Sequence, residues 1–180
     1  MRLLLLLILF TPALSATAIK TLYLNNTQTY TDLLPLAKVI HDPEQHLTSQ
    51  QAITIAKTLN TSAKIQSSGI GYWLVWSLKS QYSEAWILSS HNVFFSHLDF
   101  YLFYQQQQIQ HLTTGLANPS FSGQLLQLSG WYFPFQIIQN QPVEIAVYIK
   151  TSLFNPLMFR LMTKSKADNF LTMQTLFILL

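Results

Sequence analysis

Three successive segments between Gly71 and Gln105 show the period of two that is typical of β-strands. They read GYWLVWSLKS, EAWILSS and HLDFYLFYQ, and polar gaps separate them. Successive side chains of a strand point to opposite faces of a sheet, so this pattern predicts three strands in a row. A chain with such a block must build its fold around a β-sheet.

The first of these strands sorts its side chains into two sets. One face holds Tyr72, Leu74, Trp76 and Leu78, and the other holds Trp73, Val75, Ser77 and Lys79. We expect the first face to lie in the core and the second to be available for binding. Trp76→Ala should then cost about 3 to 5 kcal/mol of stability, whereas Trp73→Ala should largely spare stability.

The rest of the chain adds further strand patterns and one helix. The additional strand-like segments are Ile19–Asn25, Leu33–His41, Ile109–Thr113, Leu125–Leu128, Trp131–Ile138, Val143–Thr151 and Phe154–Met162. A helix is predicted from Thr48 to about Lys57, because Thr48 and Gln51 have the spacing of a capping box. About eight short strands with one short helix predict an all-β fold, a jelly-roll-like β-sandwich.

The N-terminal residues 1–18 have the pattern of a secretory signal peptide. Arg2 precedes the apolar run Leu3–Phe10, and small residues follow it. We expect cleavage after Ala18 or after Ser15, with an uncleaved anchor as the alternative. The run is shorter than the roughly 20 residues that span a bilayer.

The C-terminal residues 167–180 are interpreted as a truncated hydrophobic segment. Phe170–Leu180 is almost wholly apolar and covers about half of the ~20 residues of a membrane-spanning helix. Lys164 and Lys166 precede it, as at a membrane edge, so we expect tethering to the inner membrane. An amphipathic C-terminal helix is the alternative. Residues 19–166 between the two ends are predicted to form one periplasmic domain.

Composition excludes several classes of protein. Charged residues make up only 9% of the chain and the net charge is +3, without a clustered basic stripe. Nucleic acid is therefore not an expected partner, because phosphate binding requires such a stripe. The absence of cysteine excludes a disulfide-stabilised fold.

Six short segments carry a resemblance to a known family. They are His41-Asp42-Pro43, Tyr72–Ser80, Leu98–Leu102, Phe133-Pro134-Phe135, Tyr148-Ile149-Lys150 and Asn155-Pro156-Leu157. From Ile19 to Leu180 their order resembles extracellular domain type 2 of the bacterial seven-transmembrane receptors with diverse intracellular signalling modules (7TMR-DISM). The resemblance implies a sandwich similar to carbohydrate-binding modules, held outside the inner membrane and coupled to a seven-helix transducer. We expect this chain to be a truncated form without its own transducer and output domains.

Two positions depart from the family pattern. The strand that usually ends in arginine and asparagine ends here in Lys79-Ser80, and Lys150 stands where arginine is usual. A lysine ammonium is a point charge, whereas a guanidinium is a planar fork, so bidentate binding of a carboxylate is less favoured.

The predicted ligand-binding residues share one strand face. They are Trp73, Ser77, Lys79, Asp99 and Tyr101, joined by Tyr148 and Lys150 of the same parity. An aromatic ring can stack on a sugar while carboxylate, hydroxyl and ammonium groups bond its hydroxyls, which points to a carbohydrate. The alternative is that Trp73 and Tyr101 only pack against other elements, as strand aromatics commonly do.

The sequence favours neither a metal site nor an enzyme. His41, His46, His91 and His97, with Asp42 or Asp99, have no diagnostic ligand spacing, so we expect no metal and no cofactor. A hydrolase needs a positioned nucleophile or a facing pair of carboxylates. The chain has no G-x-S-x-G motif, and Glu84, Asp99 and Glu144 are the acids of the strand-rich part. We expect no catalytic residues.

These observations leave three kinds of function, of which the third, an enzyme on sugars, is disfavoured because the catalytic groups are missing. The first is a non-enzymatic periplasmic sensor that binds a small molecule, with carbohydrate as the candidate class, for a transmembrane receptor. The second is a protein interaction module, which self-associates or contacts a full-length receptor through strand edges or the outer aromatic face. A non-functional remnant of a receptor is a variant of the second reading.

Overall fold

The computed structural model describes residues 19–27, 29–30, 32–60, 63–65, 70–90, 95–115, 124–125, 130–151 and 157–169. The predicted signal peptide and the apolar residues 170–180 lie outside these ranges. The described strands are β1 (Thr21–Leu24), β2 (Lys38–His41), β3 (Gly71–Ser80), β4 (Glu84–Ser90), β5 (Phe95–Tyr104), β6 (Gln107–Thr114), β7 (Gln124–Leu125), β8 (Trp131–Ile137), β9 (Val143–Thr151) and β10 (Phe159–Thr163), and helix α1 spans Ser49–Thr58.

The strands form two sheets that pack face to face. Sheet A has the order β1-β3-β9-β5-β6, and β2 also pairs with β3; sheet B has the order β10-β4-β8-β7. Most neighbours are antiparallel, but β1 runs parallel to β3. The all-β sandwich expected from the strand patterns is thereby confirmed, with ten described strands instead of about eight.

The main core fills the space between the two sheets. Sheet A contributes the predicted inner set of β3, including Trp76, and sheet B contributes residues such as Trp86 and Phe133. The rings of Phe100 and Phe133 stack with centroids 5.0 Å apart, one from each sheet. Trp76 also donates its indole N–H to the Leu33 carbonyl oxygen at 2.9 Å, which satisfies the one polar atom it buries. The predicted core role of Trp76 is confirmed.

Helix α1 covers the outer face of sheet A. Its buried residues Ala52, Ile53 and Ala56 pack against Trp73 and Ala146 in a second apolar cluster. Trp73 is only 1% exposed. Trp73 and Trp76 do face opposite sides of the sheet, as the alternation predicts. The expectation that Trp73→Ala spares stability is wrong, however, because the outer face is a second core.

The local sequence explains where α1 begins. The Thr48 hydroxyl accepts from the Gln51 N–H at 3.2 Å, and the Gln51 side chain accepts from the Thr48 N–H at 2.8 Å. This is the predicted capping box, which satisfies backbone donors that a helix start leaves open. The predicted helix is therefore confirmed.

Two segments differ from the predicted pattern. Leu33–His41 is not extended throughout, because a 3-10 turn over Leu34–Leu36 precedes β2. After β5 the chain reverses over Gln105 and Gln106 alone, both at positive φ, and β6 begins at Gln107.

Residues 164–169 after β10 are helical. None of the helices in the described ranges has the length and apolar character of a membrane span.

Candidate ligand-binding cleft

The seven predicted ligand residues lie on the outer side of sheet A, but α1 divides that side. Along β9 the outward residues are Glu144, Ala146, Tyr148 and Lys150, and α1 packs over Ala146. One cleft opens on each side of the helix. We call them the Lys150 cleft and the Glu144 cleft.

The Lys150 cleft has a volume of about 340 Å³ and draws its walls from three segments. The loop between β2 and α1 supplies Glu44 and Gln45, β5 supplies Ser96 and His97, and β9 supplies Tyr148 and Lys150. Four of the six come from β5 and β9, which are neighbours in the sheet, and their polar groups are a hydroxyl, an imidazole, a phenol and an ammonium. The cleft can therefore meet a small polar ligand from several directions.

A β-bulge in β5 places His97 in this cleft. Phe95 pairs with Thr151 and His97 pairs with Lys150, so Ser96 is the extra residue. The bulge lets Phe95 enter the inter-sheet core while His97 faces the cleft. The Ser96 hydroxyl donates to the Lys150 carbonyl oxygen at 2.7 Å and holds the bulge in place.

The buried carboxylate of Asp99 organises the side chains beneath the cleft. Asp99 is 3% exposed. Its oxygens accept from Thr113 Oγ1 at 2.7 Å, from His97 Nε2 at 2.7 Å and from Gln45 Nε2 at 2.9 Å. Burial acts to raise the pKa of Asp99, but the hydrogen bonds from Thr113 and His97, the charge of His97 and the bond from Gln45 outweigh it, and the pKa is lowered.

These hydrogen bonds fix the proton positions of the neighbouring groups. An ionised carboxylate only accepts, so His97 carries a proton on Nε2 and its Nδ1 is an acceptor in the neutral ring. The Thr113 hydroxyl donates its hydrogen bond to Asp99, so its oxygen accepts from His111 Nε2 at 3.0 Å. His111 in turn stacks on Tyr101 with ring centroids 4.2 Å apart.

Asp42 holds the loop that forms the third wall. Its carboxylate, in a residue 4% exposed, accepts from the backbone N–H groups of His46 and Leu47 and from the indole of Trp73. Burial acts to raise the pKa of Asp42, yet these hydrogen bonds lower it overall. The Asp42 carbonyl oxygen accepts from the Tyr148 hydroxyl at 3.2 Å. Asp42 thus joins the loop to sheet A twice, through its carboxylate and through its backbone carbonyl oxygen.

The two tyrosines of the predicted set stay neutral over the ordinary pH range. Burial, with the charge of Asp99, raises the pKa of Tyr101 to about 12. Burial, with the charges of Asp42 and Asp99, raises the pKa of Tyr148 to about 12. Each hydroxyl therefore keeps its proton, and Tyr148 keeps its bond to the loop.

The Glu144 cleft on the other side of α1 has a volume of about 500 Å³. Lys57 Nζ lies 2.6 Å from Glu144 Oε1, and the hydroxyls of Thr21 and Ser77 are 3.1 Å apart. Ser77 is the one predicted ligand residue in this cleft. Both polar pairs are satisfied within the protein, and the side-chain amides of Gln105 and Gln106 also line this cleft.

The structure brings only part of the predicted set together. Tyr148 and Lys150 line the Lys150 cleft, and Asp99 is bonded to its residues His97 and Gln45. Tyr101 packs against Trp73 and His111, and Lys79 Nζ lies 5.9 Å from the centroid of the Tyr23 ring, near β1. Trp73 packs under α1, so no ligand stacks on its ring while the helix is in place. The geometry agrees with the packing alternative for Trp73, and the ligand role of the set stays a prediction.

Several residues of the site lie outside the ligand set predicted from the sequence. They contact Asp99 or line the cleft, and they are Gln45, Ser96, His97, His111 and Thr113. His111 and Thr113 are two residues apart in β6, so the sequence indicates that their side chains point to the same face of the sheet. The register that brings them opposite Tyr101 and Asp99 cannot be read without locating a second bulge.

The described residues contain no group of three histidine, cysteine or acidic side chains able to hold a metal ion. His91 is outside the described ranges. Glu84 and Asp99 are two of the acids that were considered for a hydrolase. They lie on different sheets, Glu84 on sheet B and Asp99 on sheet A.

Comparison with known proteins identifies the family. No curated protein matches the sequence. Residues 35–163 match the sequence model of the family described as 7TMR-DISM extracellular 2, which is well over half of the chain. The match covers β2 to β10, including every strand that lines the Lys150 cleft. The chain belongs to the 7TMR-DISM extracellular 2 family, the extracellular sensor-type domains of seven-transmembrane receptors.

Proposed function

We propose that this domain is a non-enzymatic periplasmic sensor and that it binds a carbohydrate in the Lys150 cleft. The observation that carries the proposal is the cleft itself. Polar groups from the β2–α1 loop, β5 and β9 converge there, and the buried carboxylates of Asp42 and Asp99 hold them in position. A cleft of about 340 Å³ has room for a single sugar ring, near the lower end of ligand sites.

Hydrogen bonding, more than ring stacking, would hold such a ligand. Tyr148 is buried to 1% exposure and Trp73 is covered, so the aromatic side chains support the cleft from below. The available groups are the ammonium of Lys150, the amide of Gln45, the hydroxyl of Ser96 and the ring of His97. This mixture of donors and acceptors matches a molecule that has several hydroxyl groups.

The ligand would bridge two parts of the domain. Gln45 belongs to the loop in front of α1, whereas His97 and Lys150 belong to sheet A. A molecule bound to both favours the arrangement in which loop and sheet are close, which is a population shift. The receptor could detect that shift through the elements joined to α1.

A thermal-shift screen of the purified full chain with a panel of monosaccharides tests this function. A sugar that binds only the native state raises the Tm, and Lys150→Ala should remove the rise. Lys79→Ala is the matched control, since Lys79 lies outside the cleft. If no sugar raises the Tm, or if both variants respond alike, the proposal fails.

A second candidate function rests on the edge of sheet A. In the described part of the chain β6 pairs only with β5, and its Ile109 is 56% exposed. A free strand edge can pair with a strand of another chain, either a second copy or a receptor. Chemical cross-linking would detect such a complex, and Ile109→Lys should abolish it if the edge is used.

Tethering to the inner membrane through residues 170–180 is part of the same proposal. Fractionation of cells that express the chain should recover it with inner membranes. Recovery in the soluble periplasmic fraction would contradict the tether and leave the ligand site untouched.

A further inference from the structure

The free donors and acceptors of the Lys150 cleft indicate which class of sugar would bind there. This inference rests on the proposed function, the binding of a carbohydrate in that cleft. Lys150 Nζ forms no ion pair or hydrogen bond with any described residue. Lys57 pairs with Glu144, Lys164 pairs with Asp168, and Lys38 donates to the Leu59 carbonyl, whereas the exposed Lys20 and Lys64, like Lys150, form no such bond with a described residue. The cleft therefore contains a cation that a bound anion can complement.

The remaining groups of the cleft are mostly acceptors. Gln45 uses one of its two amide N–H groups on Asp99, which leaves the amide oxygen and one N–H, and Ser96 uses its proton on the Lys150 carbonyl oxygen. His97 uses Nε2–H on Asp99, so Nδ1 accepts in the neutral ring and donates when the ring carries its second proton. Each of these three groups can accept a hydrogen bond from a ligand hydroxyl.

The rim adds one negative charge, which sets the orientation of the ligand. The Glu44 carboxylate is largely exposed and lies 3.1 Å from His46 Nε2. A ligand carboxylate would be repelled at Glu44 and attracted at Lys150, whereas hydroxyl groups can donate to Glu44. The negative charge on the loop side therefore faces a cation on β9.

We infer that the ligand is a sugar acid, a small molecule with one carboxylate and several hydroxyl groups. The carboxylate accepts from Lys150 Nζ, and the hydroxyls donate to Gln45 Oε1, Ser96 Oγ and His97 Nδ1. A neutral sugar leaves the Lys150 charge uncompensated, and an acid without hydroxyls leaves the acceptors unpaired. A polyhydroxy carboxylate satisfies both the cation and the acceptors of the cleft.

Isothermal titration of the full chain with three related probes tests this inference. The probes are galacturonate, its neutral methyl ester and galactose, which share ring hydroxyls and differ in charge. We expect galacturonate to bind at least about fivefold more tightly than the other two, because a charge-assisted hydrogen bond is the stronger kind. The difference should shrink at high salt, since the cleft is open to solvent.

Three variants test whether Lys150 is the source of the preference for galacturonate. Lys150→Gln should weaken galacturonate binding more than galactose binding, so that the preference for galacturonate is lost. Glu44→Gln should strengthen galacturonate binding by removing a repulsive charge. Lys79→Gln, which removes a lysine of the same sheet outside the cleft, should change neither.

The outcomes separate this inference from the proposed function. If galactose binds as tightly as galacturonate and Lys150→Gln weakens both alike, the sugar-acid inference is overturned and the sensor function stands. If glucuronate, mannuronate and gluconate behave like galacturonate, the class is supported and the acid is not unique. If no sugar or sugar acid binds, the proposed function fails together with the inference.

Discussion

The indole nitrogen of Trp73 lies 2.9 Å from Oδ2 of Asp42, and this hydrogen bond joins the loop after β2 to the floor of sheet A. Both residues are buried. The same carboxylate accepts two backbone N–H groups of the loop. The position of Glu44 and Gln45, and with it one wall of the Lys150 cleft, depends on Asp42.

Replacement of Asp42 should therefore destabilise the domain and its cleft together. Asp42→Ala leaves the Trp73 indole and two backbone donors without their acceptor, and we expect a loss of about 3 kcal/mol in the free energy of unfolding. Asp42→Asn keeps one acceptor oxygen and should lose less. Urea unfolding measures both. Asp168→Ala, which removes an exposed carboxylate, is the control and should change stability little. Equal values for Asp42→Ala and Asp168→Ala would contradict the role of Asp42.

The two tryptophans of β3 should prove equally important for stability. Trp76 lies in the inter-sheet core and Trp73 lies under α1, and each buries a large ring with a hydrogen-bonded N–H. Either change to alanine should cost about 3 to 5 kcal/mol. Denaturant unfolding of both variants provides the measurement. A loss below about 1 kcal/mol for Trp73→Ala, the size typical of surface positions, would show that α1 does not cover it.

Gly71 is required where the loop meets Tyr148. A Cβ at this position would overlap the Tyr148 hydroxyl and lie 2.5 Å from the Asp42 carbonyl oxygen. We expect Gly71→Ala to cost about 1 to 3 kcal/mol, the range for overpacking.

A double-mutant cycle identifies the source of that cost. Tyr148→Phe removes the hydroxyl that the new Cβ would meet, so the double variant should lose at least about 0.5 kcal/mol less than the sum of the single losses. Strict additivity would mean that the hydroxyl is not the obstacle.

Acid should unfold the domain through Asp42 and Asp99. The pKa of each carboxyl is lowered in the folded chain, so the unfolded chain takes up protons first as pH falls. Their stabilisation is complete above the unfolded pKa of about 4 and is lost as pH falls through the folded pKa. We expect the Tm to be nearly constant from about pH 7 to 5 and to drop below about pH 4.

Circular dichroism melts across this range give the measurement. Asp99→Asn should melt lower at neutral pH and show a shallower decline in acid, since one of the two titrating groups is gone. An identical decline in wild type and Asp99→Asn would exclude Asp99 as a source.

The alternation of the strands was sufficient to predict the sandwich and its inner face. Leu74, Trp76, Phe100 and Val147 lie in the core because strand parity is a local property that sequence displays directly. The capping box likewise located the start of α1. What the pattern could not show is where α1 docks, because docking depends on contacts between residues distant in sequence, such as Ile53 and Trp73.

The histidines of the site illustrate the same limit. A two-residue turn at Gln105 and Gln106 would place Gln110 opposite Tyr101, but the pairing shifts and Ile109 becomes an extra residue. The bulge turns His111 to face Tyr101 and Thr113 to face Asp99. No residue type marks such a bulge reliably, so the Asp99 network became visible only with the folded backbone.

Helix α1 also sets an upper limit on what the domain can hold. Because it rests on the middle of the outer face, the described strands offer no uninterrupted track along which a long polymer could lie. Each end has room for a compact group, roughly the size of one building block. Under the proposed sugar-binding function, a receptor with this domain would respond to single sugars or chain ends released into its surroundings, and not to the interior of a polysaccharide.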